Sequence, residues 1–236
     1  MTNDATTDPD AGGSGAPAQP GLAVANRWLE WGARAIIVLV FTALAVLGIA
    51  GIRNLVPLDG GHKLLLLAAR IANVMFLSLV AATALTRLAP VLKSRGIEPR
   101  VSALLGTFLS LVLALLPKAE LGPVLSVLST VLIMIGTALS FVVLRWLGKS
   151  FSILAEARRL VTAGPYRLVR HPLYVCEGIA LVGLVLQVVS PAAVVLGLAV
   201  AAIQYRRMIN EEAVLNAAFP EYRAYAMRTP RLIPRF

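Results

Sequence analysis

The sequence predicts an all-α fold, a polytopic integral membrane bundle of about six hydrophobic helices, counted as five full spans plus the arm of a helical hairpin. Three observations lead to this prediction. Hydrophobic residues make up 58% of the 236 positions and charged residues only 14%, which is too little polar surface to cover a soluble globule. The apolar residues fall in runs of about 20, the length that crosses a bilayer. Basic residues are concentrated in alternate connections between these runs.

Residues 1–25 are predicted to form a disordered tail, because they are rich in glycine, proline and small polar residues and show no apolar periodicity. They lack the basic start and apolar core of a signal peptide. The first hydrophobic helix, predicted over residues 35–52, is therefore expected to act as an uncleaved insertion signal.

Three further helices are predicted over residues 64–88, 101–116 and 121–144. Arg70 and Asn73 lie one turn apart in the second of them, where they fit either a substrate path or a contact between helices. Prolines at positions 117 and 123 mark a tight connection before the fourth helix. Residues 26–144 are thus expected to form a four-helix membrane region.

The remaining residues, 145–236, are predicted to form one functional region with a loop, a helical hairpin and a tail. After the polar segment 145–171, an apolar pattern runs over residues 172–203, which is too long for one span. Ser190 and Pro191 divide it, because serine is a good N-cap and proline is favoured at the first helical position. The second arm of the hairpin is expected to continue to about residue 217.

The distribution of the 22 lysines and arginines predicts the topology. With the N-terminus inside, 18 of them are cytoplasmic and three are external, so both termini should face the cytoplasm. Because these residues lie between apolar spans and form no single polar face, they indicate a lipid bilayer as partner and not a nucleic acid. One cysteine, Cys176, and two distant histidines, His62 and His171, give neither a disulfide nor a metal site. The sequence does not determine an oligomeric state.

The stretch at residues 164–174, GPYRLVRHPLY, stands where a predicted cytoplasmic loop enters the fifth hydrophobic helix. Pro172 suits the first helical position, so Arg170 and His171 should lie at a helix N-terminus. Free backbone N–H groups and the helix dipole there, together with Arg170, favour an anion such as a carboxylate. Arginines in such a loop also fit membrane topology alone. Glu177 follows Tyr174 on one helix face, either as a functional residue within a span or as a residue close to the interface.

A second group of polar residues begins where the last span ends, over residues 206–212, and continues through an aromatic tail over residues 219–234. Arg207 and Glu211 are four residues apart, a spacing that also fits a simple ion pair on a solvated helix. Glu212 follows directly, and adjacent acids at a membrane exit are unusual.

Together these two segments resemble the isoprenylcysteine carboxyl methyltransferase family and the related phospholipid N-methyltransferases. The loop matches the pattern G-P-Y-R-x-x-R-H-P-x-Y at every fixed position, and the tail matches a later E-E-x-x-L at Glu211, Glu212 and Leu215. Two positions depart from the pattern, Cys176 and Pro220, which both replace glycine. The resemblance covers residues 145–234.

The resemblance implies a membrane enzyme that uses S-adenosyl-L-methionine and needs no metal. It assigns five residues to the cofactor pocket: Tyr166, His171, Pro172, Tyr174 and Glu212. It assigns four residues to catalysis and substrate orientation: Arg170, Arg207, Glu211 and Arg228. The hairpin would admit a lipid tail, and the location implied is the inner membrane of a bacterium.

The acceptor of the methyl group is expected to be the carboxylate of an isoprenylcysteine-like acid. A phospholipid amine or a thiol is the alternative, and a transporter or scaffold without enzymatic activity is a third. The absence of an internal repeat in the sequence weakens the transporter alternative.

Overall fold

The computed structural model describes residues 20–58 and 60–234. Seven α-helices follow one another in this part of the chain: α1 Pro20–Arg53, α2 Gly61–Thr86, α3 Glu98–Leu115, α4 Pro123–Leu147, α5 Pro172–Val188, α6 Pro191–Ala218 and α7 Tyr222–Arg228. Five stretches of the described residues are long and apolar enough to cross a bilayer: Arg34–Arg53, Gly61–Thr86, Glu98–Leu115, Pro123–Ser150 and Pro191–Ala218. Helix α5 is a shorter apolar helix. The predicted all-α membrane bundle, with five spans and a hairpin arm, is confirmed.

Helix α1 begins at Pro20, so the last residues of the predicted 1–25 tail are helical. Pro20 takes a first-turn position that proline favours, and after Gly21 the good helix formers leucine and alanine follow. The rest of the predicted tail, residues 1–19, lies outside the described residues. The division of the chain into three regions stays a prediction.

The hairpin between α5 and α6 turns where the sequence predicts. The Ser190 side chain accepts a hydrogen bond from the Ala193 backbone N–H at 3.1 Å, and Pro191 opens α6. The capping serine and the proline therefore end one helix and start the next.

Two glycines bring the backbones of α4 and α5 into direct contact. A β-carbon at Gly136 would lie 2.5 Å from the Ala180 backbone nitrogen, and one at Gly183 would lie 2.7 Å from the Ser129 carbonyl oxygen. These distances are far shorter than a normal packing contact. Helices α4 and α5 thus form one tightly packed wall of the bundle.

The helix α2 residues Arg70 and Asn73 have different surroundings. A β-carbon at Gly51 of α1 would overlap with Arg70 Nη1, so the Arg70 side chain packs against α1 and makes a contact between helices. Asn73 instead lines the large cavity described below. A contact between helices is therefore found for Arg70, and a substrate path at Asn73 stays a prediction.

A two-residue antiparallel ladder, which the sequence does not predict, joins two connecting segments. Strand β1, Leu92–Lys93, pairs with β2, Glu156–Ala157. Ala157 is fully buried and packs with Val214 of α6. The ladder therefore fixes the segment before the GPYRLVRHPLY loop against α6, the helix that carries the acidic pair Glu211 and Glu212.

Candidate active site

The loop that enters α5 begins with a 3-10 turn over Gly164–Arg167. Gly164 has a φ of +60°, and a β-carbon there would lie 2.6 Å from the Trp146 ring at the end of α4. Glycine meets both conditions, because other residues are strained at positive φ. Pro172 takes the first position of α5 and His171 precedes it, as the sequence predicts.

The C-terminal segment after α7 runs across this loop. The Arg170 backbone N–H donates to the Pro230 carbonyl at 2.8 Å, and the His171 N–H donates to the Arg231 carbonyl at 3.2 Å. Two of the N–H groups at this helix entrance, those of Arg170 and His171, are therefore not free to bind an anion. The tail satisfies them because buried backbone donors need partners.

A cavity of about 740 Å³, which we call the central cavity, is lined along α5 from His171 to Leu184, about 20 Å by the rise of an α-helix. Six of the predicted site residues line its polar end: Tyr166, Arg170, His171, Tyr174, Arg207 and Glu211. Its other end is mostly apolar and includes Phe76, Ile133, Leu181 and Leu184. One continuous space therefore joins the sequence motifs to the interior of the helix bundle.

The anion at the entrance to α5 is a side chain of the protein, Glu212 of α6. Its carboxylate pairs with Arg170 Nη1 at 3.0 Å and with the Arg231 guanidinium at 2.9 and 2.7 Å, and it lies 3.0 Å from His171 Nε2. The hydrogen bonds to Glu212 raise the pKa of Arg231 above its usual value. Glu212 is 12% exposed, is not among the residues that line the central cavity, and fastens loop, helix and tail together.

Glu211, in contrast, lines the central cavity. The Tyr174 hydroxyl donates to its carboxylate, and His171 Nδ1 lies 3.8 Å from it. The Arg207 guanidinium stands over the Tyr174 ring at 5.4 Å from the centroid, a favourable position for a cation. The two acids, adjacent in sequence, therefore have different surroundings, one facing the cavity and one facing the tail.

Glu177, Gln204 and Arg207 form a hydrogen-bonded row on the cavity wall, which we call the polar layer. Gln204 Nε2 donates to Glu177 Oε2 at 2.8 Å, and Arg207 Nη1 donates to Gln204 Oε1 at 2.9 Å. Arg207 Nη2 donates to the Ile153 carbonyl at 3.1 Å. The row places Glu177, whose role the sequence left open, within the site.

Three tyrosines around the loop are neutral phenols in the neutral pH range. Burial raises the pKa of Tyr166 above its usual value, and burial together with the Glu212 carboxylate raises the pKa of Tyr222 to about 12. Burial also raises the pKa of Tyr225 to about 12, and its hydroxyl donates to the Tyr166 carbonyl at 2.7 Å. Helix α7 is thereby anchored to the 3-10 turn.

Two other predicted residues do not reach the central cavity. Pro172 is buried at the start of α5, where it shapes the helix entrance. Arg228, predicted to be catalytic, lines a second cavity of about 320 Å³ with Arg170 and the segment 226–231. The structure therefore does not bring Arg228 together with Arg207 and Glu211.

Two features of the site were missed from the sequence. Arg158 is buried and pairs with Glu156, which also accepts a hydrogen bond from the Ser152 hydroxyl. Arg158 and Glu156 line the central cavity, although nothing in their spacing signals it. Gln204 could have been found, because it is a polar residue in an apolar stretch three positions before Arg207.

In the described part of the chain no group of three or more His, Cys, Asp or Glu side chains could hold a metal ion.

Two bacterial proteins are similar to part of this chain. The cobalt-zinc-cadmium resistance protein CzcN of Cupriavidus metallidurans is 47% identical over 77 residues, which cover 32% of this chain and 36% of the relative. The nickel-cobalt-cadmium resistance protein NccN of Alcaligenes xylosoxydans xylosoxydans is 42% identical over 81 residues, which cover 34% and 38%. The chain thus matches little more than a third of the length of these curated relatives.

Residues 118–222 match the model of the phospholipid methyltransferase family. The match includes the GPYRLVRHPLY loop, the hairpin and the acidic pair, the same segments that carry the resemblance seen in the sequence. Residues 118–222 are therefore similar to the phospholipid methyltransferase family, which includes the isoprenylcysteine carboxyl methyltransferases.

Proposed function

We propose that this protein is an integral membrane methyltransferase that transfers a methyl group from S-adenosyl-L-methionine to a lipophilic acceptor. The observation that carries the proposal is the central cavity, which joins the polar family motifs at one end to an apolar space between helices at the other. A polar donor and a lipid-like acceptor can meet in such a space.

The residues at the polar end fit the proposed cofactor. A cavity of about 740 Å³ is in the usual range of small-molecule sites. The Glu211 carboxylate can accept hydrogen bonds from amino or ribose hydroxyl groups, and the rings of Tyr166 and Tyr174 offer aromatic surface. Glu212 was assigned to the cofactor as well, but its carboxylate already has four contacts, so we assign it to holding the pocket closed.

When bound, S-adenosyl-L-methionine supplies a methyl group on a positively charged sulfonium. The residues of this chain then bind and orient the cofactor and the acceptor, and they exclude water. The tail over Arg170 and His171 closes the pocket, Tyr174 and Arg207 shape its floor, and the apolar end holds the acceptor tail. Positioning of this kind is the main source of catalysis for a reactive donor.

For the acceptor, the family resemblance favours the carboxylate of an isoprenylcysteine-like acid, and the guanidinium of Arg207 on the cavity wall suits an anion. A carboxylate is ionised at neutral pH and needs no base. The description of the matching family favours a phospholipid, and a thiol is the third acceptor class. An amine or a thiol would first have to lose a proton.

A radiolabelled methyl-transfer assay with purified protein tests the proposal across prenylcysteine, phospholipid and small thiol acceptors. Label should enter at least one lipophilic product, and mild base should release it from a methyl ester but not from an N-methyl or thioether product. Glu98→Gln is a matched control, because Glu98 lies half exposed outside the cavity and pairs with Arg206. No transfer to any acceptor, with no binding of the cofactor by calorimetry, would overturn the proposal and favour a transporter or scaffold.

We also propose that both termini face the cytoplasm of a bacterial cell and that the protein lies in the inner membrane. The asymmetry of basic residues supports this orientation. Reporter fusions to the α2–α3 and α3–α4 connections should report opposite sides of the membrane, with the α2–α3 connection inside. The reverse pattern would contradict the orientation.

A further inference from the structure

The segment that connects α4 to α5 carries a buried arginine with unused hydrogen-bond donors. The Arg158 side chain is only 2% exposed, and its Nη2 donates to the Glu156 carboxylate. Its other two guanidinium nitrogens, Nε and Nη1, are buried and have no hydrogen-bond partner within residues 20–58 and 60–234. Buried donors are almost always hydrogen-bonded, because an unpartnered one loses the free energy of its contact with water. Arg158 is therefore suited to a ligand that brings acceptor oxygens.

The local fold places Arg158 on the cavity side of this segment. Glu156 and Ala157 form β2, and successive side chains of a strand point to opposite faces. Glu156 and Arg158 line the central cavity, whereas Ala155 and Ala157 pack with Val214 of α6. A ligand in the cavity can therefore reach the Arg158 side chain.

The same segment runs along α6 past Glu211. At one level Arg207 Nη2 donates to the Ile153 carbonyl at 3.1 Å, and at another Ala157 packs with Val214. Glu211 lies between Arg207 and Val214 on α6, about one turn from each, and it lines the same cavity. The polar end of the central cavity thus has an anionic group on α6 and a cationic group on the connecting segment.

The proposed cofactor carries charges that match this arrangement. At neutral pH the amino group and the sulfonium of S-adenosyl-L-methionine are positive, and its one anionic group is the carboxylate of the methionine part. A guanidinium is well suited to bind a carboxylate. Arg158 leaves two guanidinium nitrogens without a partner, whereas Arg170 and Arg207, which also line the cavity, leave one each. Arg158 therefore has the larger unused capacity to donate to this carboxylate.

We propose that Arg158 binds the carboxylate of the methionine part of S-adenosyl-L-methionine. The inference rests on the proposed function and adds a cofactor-binding residue outside the two sequence motifs. Glu156 holds the guanidinium in place, and the Ser152 hydroxyl donates to the same carboxylate of Glu156. With Arg158 on the carboxylate and Glu211 on the amino group, the methionine part has one favoured orientation, which fixes the direction of the methyl group.

Calorimetry with two ligands that differ by one carboxylate tests the inference without turnover. S-adenosyl-L-methionine is compared with decarboxylated S-adenosylmethionine, which keeps the adenosine, the sulfonium and the amine, and no acceptor is added. The wild-type protein should bind the ligand with the carboxylate at least about tenfold more tightly, the size of one charge-assisted hydrogen bond.

Arg158→Gln should weaken the binding of S-adenosyl-L-methionine to the level of the decarboxylated ligand, whose own affinity should not change. Arg223→Gln, the same change at an exposed position of α7, is the control and should keep the preference. If Arg158→Gln does not fold because Glu156 loses its partner, the double variant with Glu156→Gln removes both charges and should lose the preference as well.

Two results would overturn the inference: equal binding of the two ligands by the wild-type protein, or a preference that survives in the variants at Arg158. The proposed function fails separately, when neither ligand binds and no acceptor receives label.

Discussion

The Glu212 carboxylate of α6 and the Arg231 guanidinium of the C-terminal segment form a bidentate ion pair, with N–O distances of 2.9 and 2.7 Å. The pair connects the segment that covers the α5 entrance to the helix that carries Glu211. Because Arg170 and His171 contact the same carboxylate, one side chain joins three parts of the site.

Arg231→Lys should loosen the tail, because lysine cannot form the two parallel hydrogen bonds that the guanidinium makes. We expect a loss of about 1–2 kcal/mol in stability, since Arg231 is partly exposed, together with weaker binding of S-adenosyl-L-methionine. Thermal unfolding in detergent and calorimetry measure the two effects. Arg223→Lys, an exposed change in α7, is the control and should leave both values unchanged.

The two adjacent acids should respond differently to the same change. Glu212→Gln leaves Arg170 and Arg231 without their carboxylate and should cost about 3 kcal/mol of stability. Glu211→Gln removes a charge that faces the cavity, so it should weaken cofactor binding about tenfold with little change in the melting temperature. Equal effects of the two variants on stability and on binding would contradict these separate roles.

Tyr225→Phe should remove the hydrogen bond to the Tyr166 carbonyl and cost about 1 kcal/mol. The pKa of Tyr225 is raised from 10.0 to about 12, so folding favours its neutral form. Its contribution is complete below pH 10 and is lost as the pH rises from 10 through 12. The difference in stability between wild type and variant, measured from pH 8 to 11, should therefore shrink above pH 10. Parallel curves up to pH 11 would show that Tyr225 does not titrate this way.

Gly164→Ala should distort the GPYRLVRHPLY loop, because alanine is strained at a φ of +60° and its β-carbon would meet the Trp146 ring. We expect a loss of about 1–3 kcal/mol and reduced cofactor binding. Trp146→Leu in the same background removes the close contact but not the strain, so it should restore only part of the stability. Gly122→Ala, where a β-carbon would meet nothing, is the control.

Most of the apolar helices could be predicted from sequence because they are encoded locally, whereas α7 was not predicted and α1 begins before its predicted start at residue 35. The predicted second helix, residues 64–88, lies within two or three residues of the observed Gly61–Thr86, and the turn at Ser190 and Pro191 is correct. Hydropathy over 20 residues and a capping serine act at short range.

The contacts that the site residues make within the protein could not be predicted, because they join distant parts of the chain. Glu212 meets His171, 41 positions away, and the Arg170 and His171 N–H groups meet the tail carbonyls of Pro230 and Arg231. The motif spacing indicated an anion at this helix entrance. It did not indicate that the protein provides that anion itself.

The close backbone contact at Gly136 and Gly183 has a consequence for the route by which a ligand can enter the bundle. Opening a gap between α4 and α5 would require the two helices to move apart, since backbone atoms of one helix lie against the glycines of the other. This side of the molecule is therefore a fixed wall. For the lipophilic acceptor that we propose, we therefore expect entry between other pairs of helices. Gly136 and Gly183 thus define the face of the bundle at which we expect no entry of the proposed acceptor.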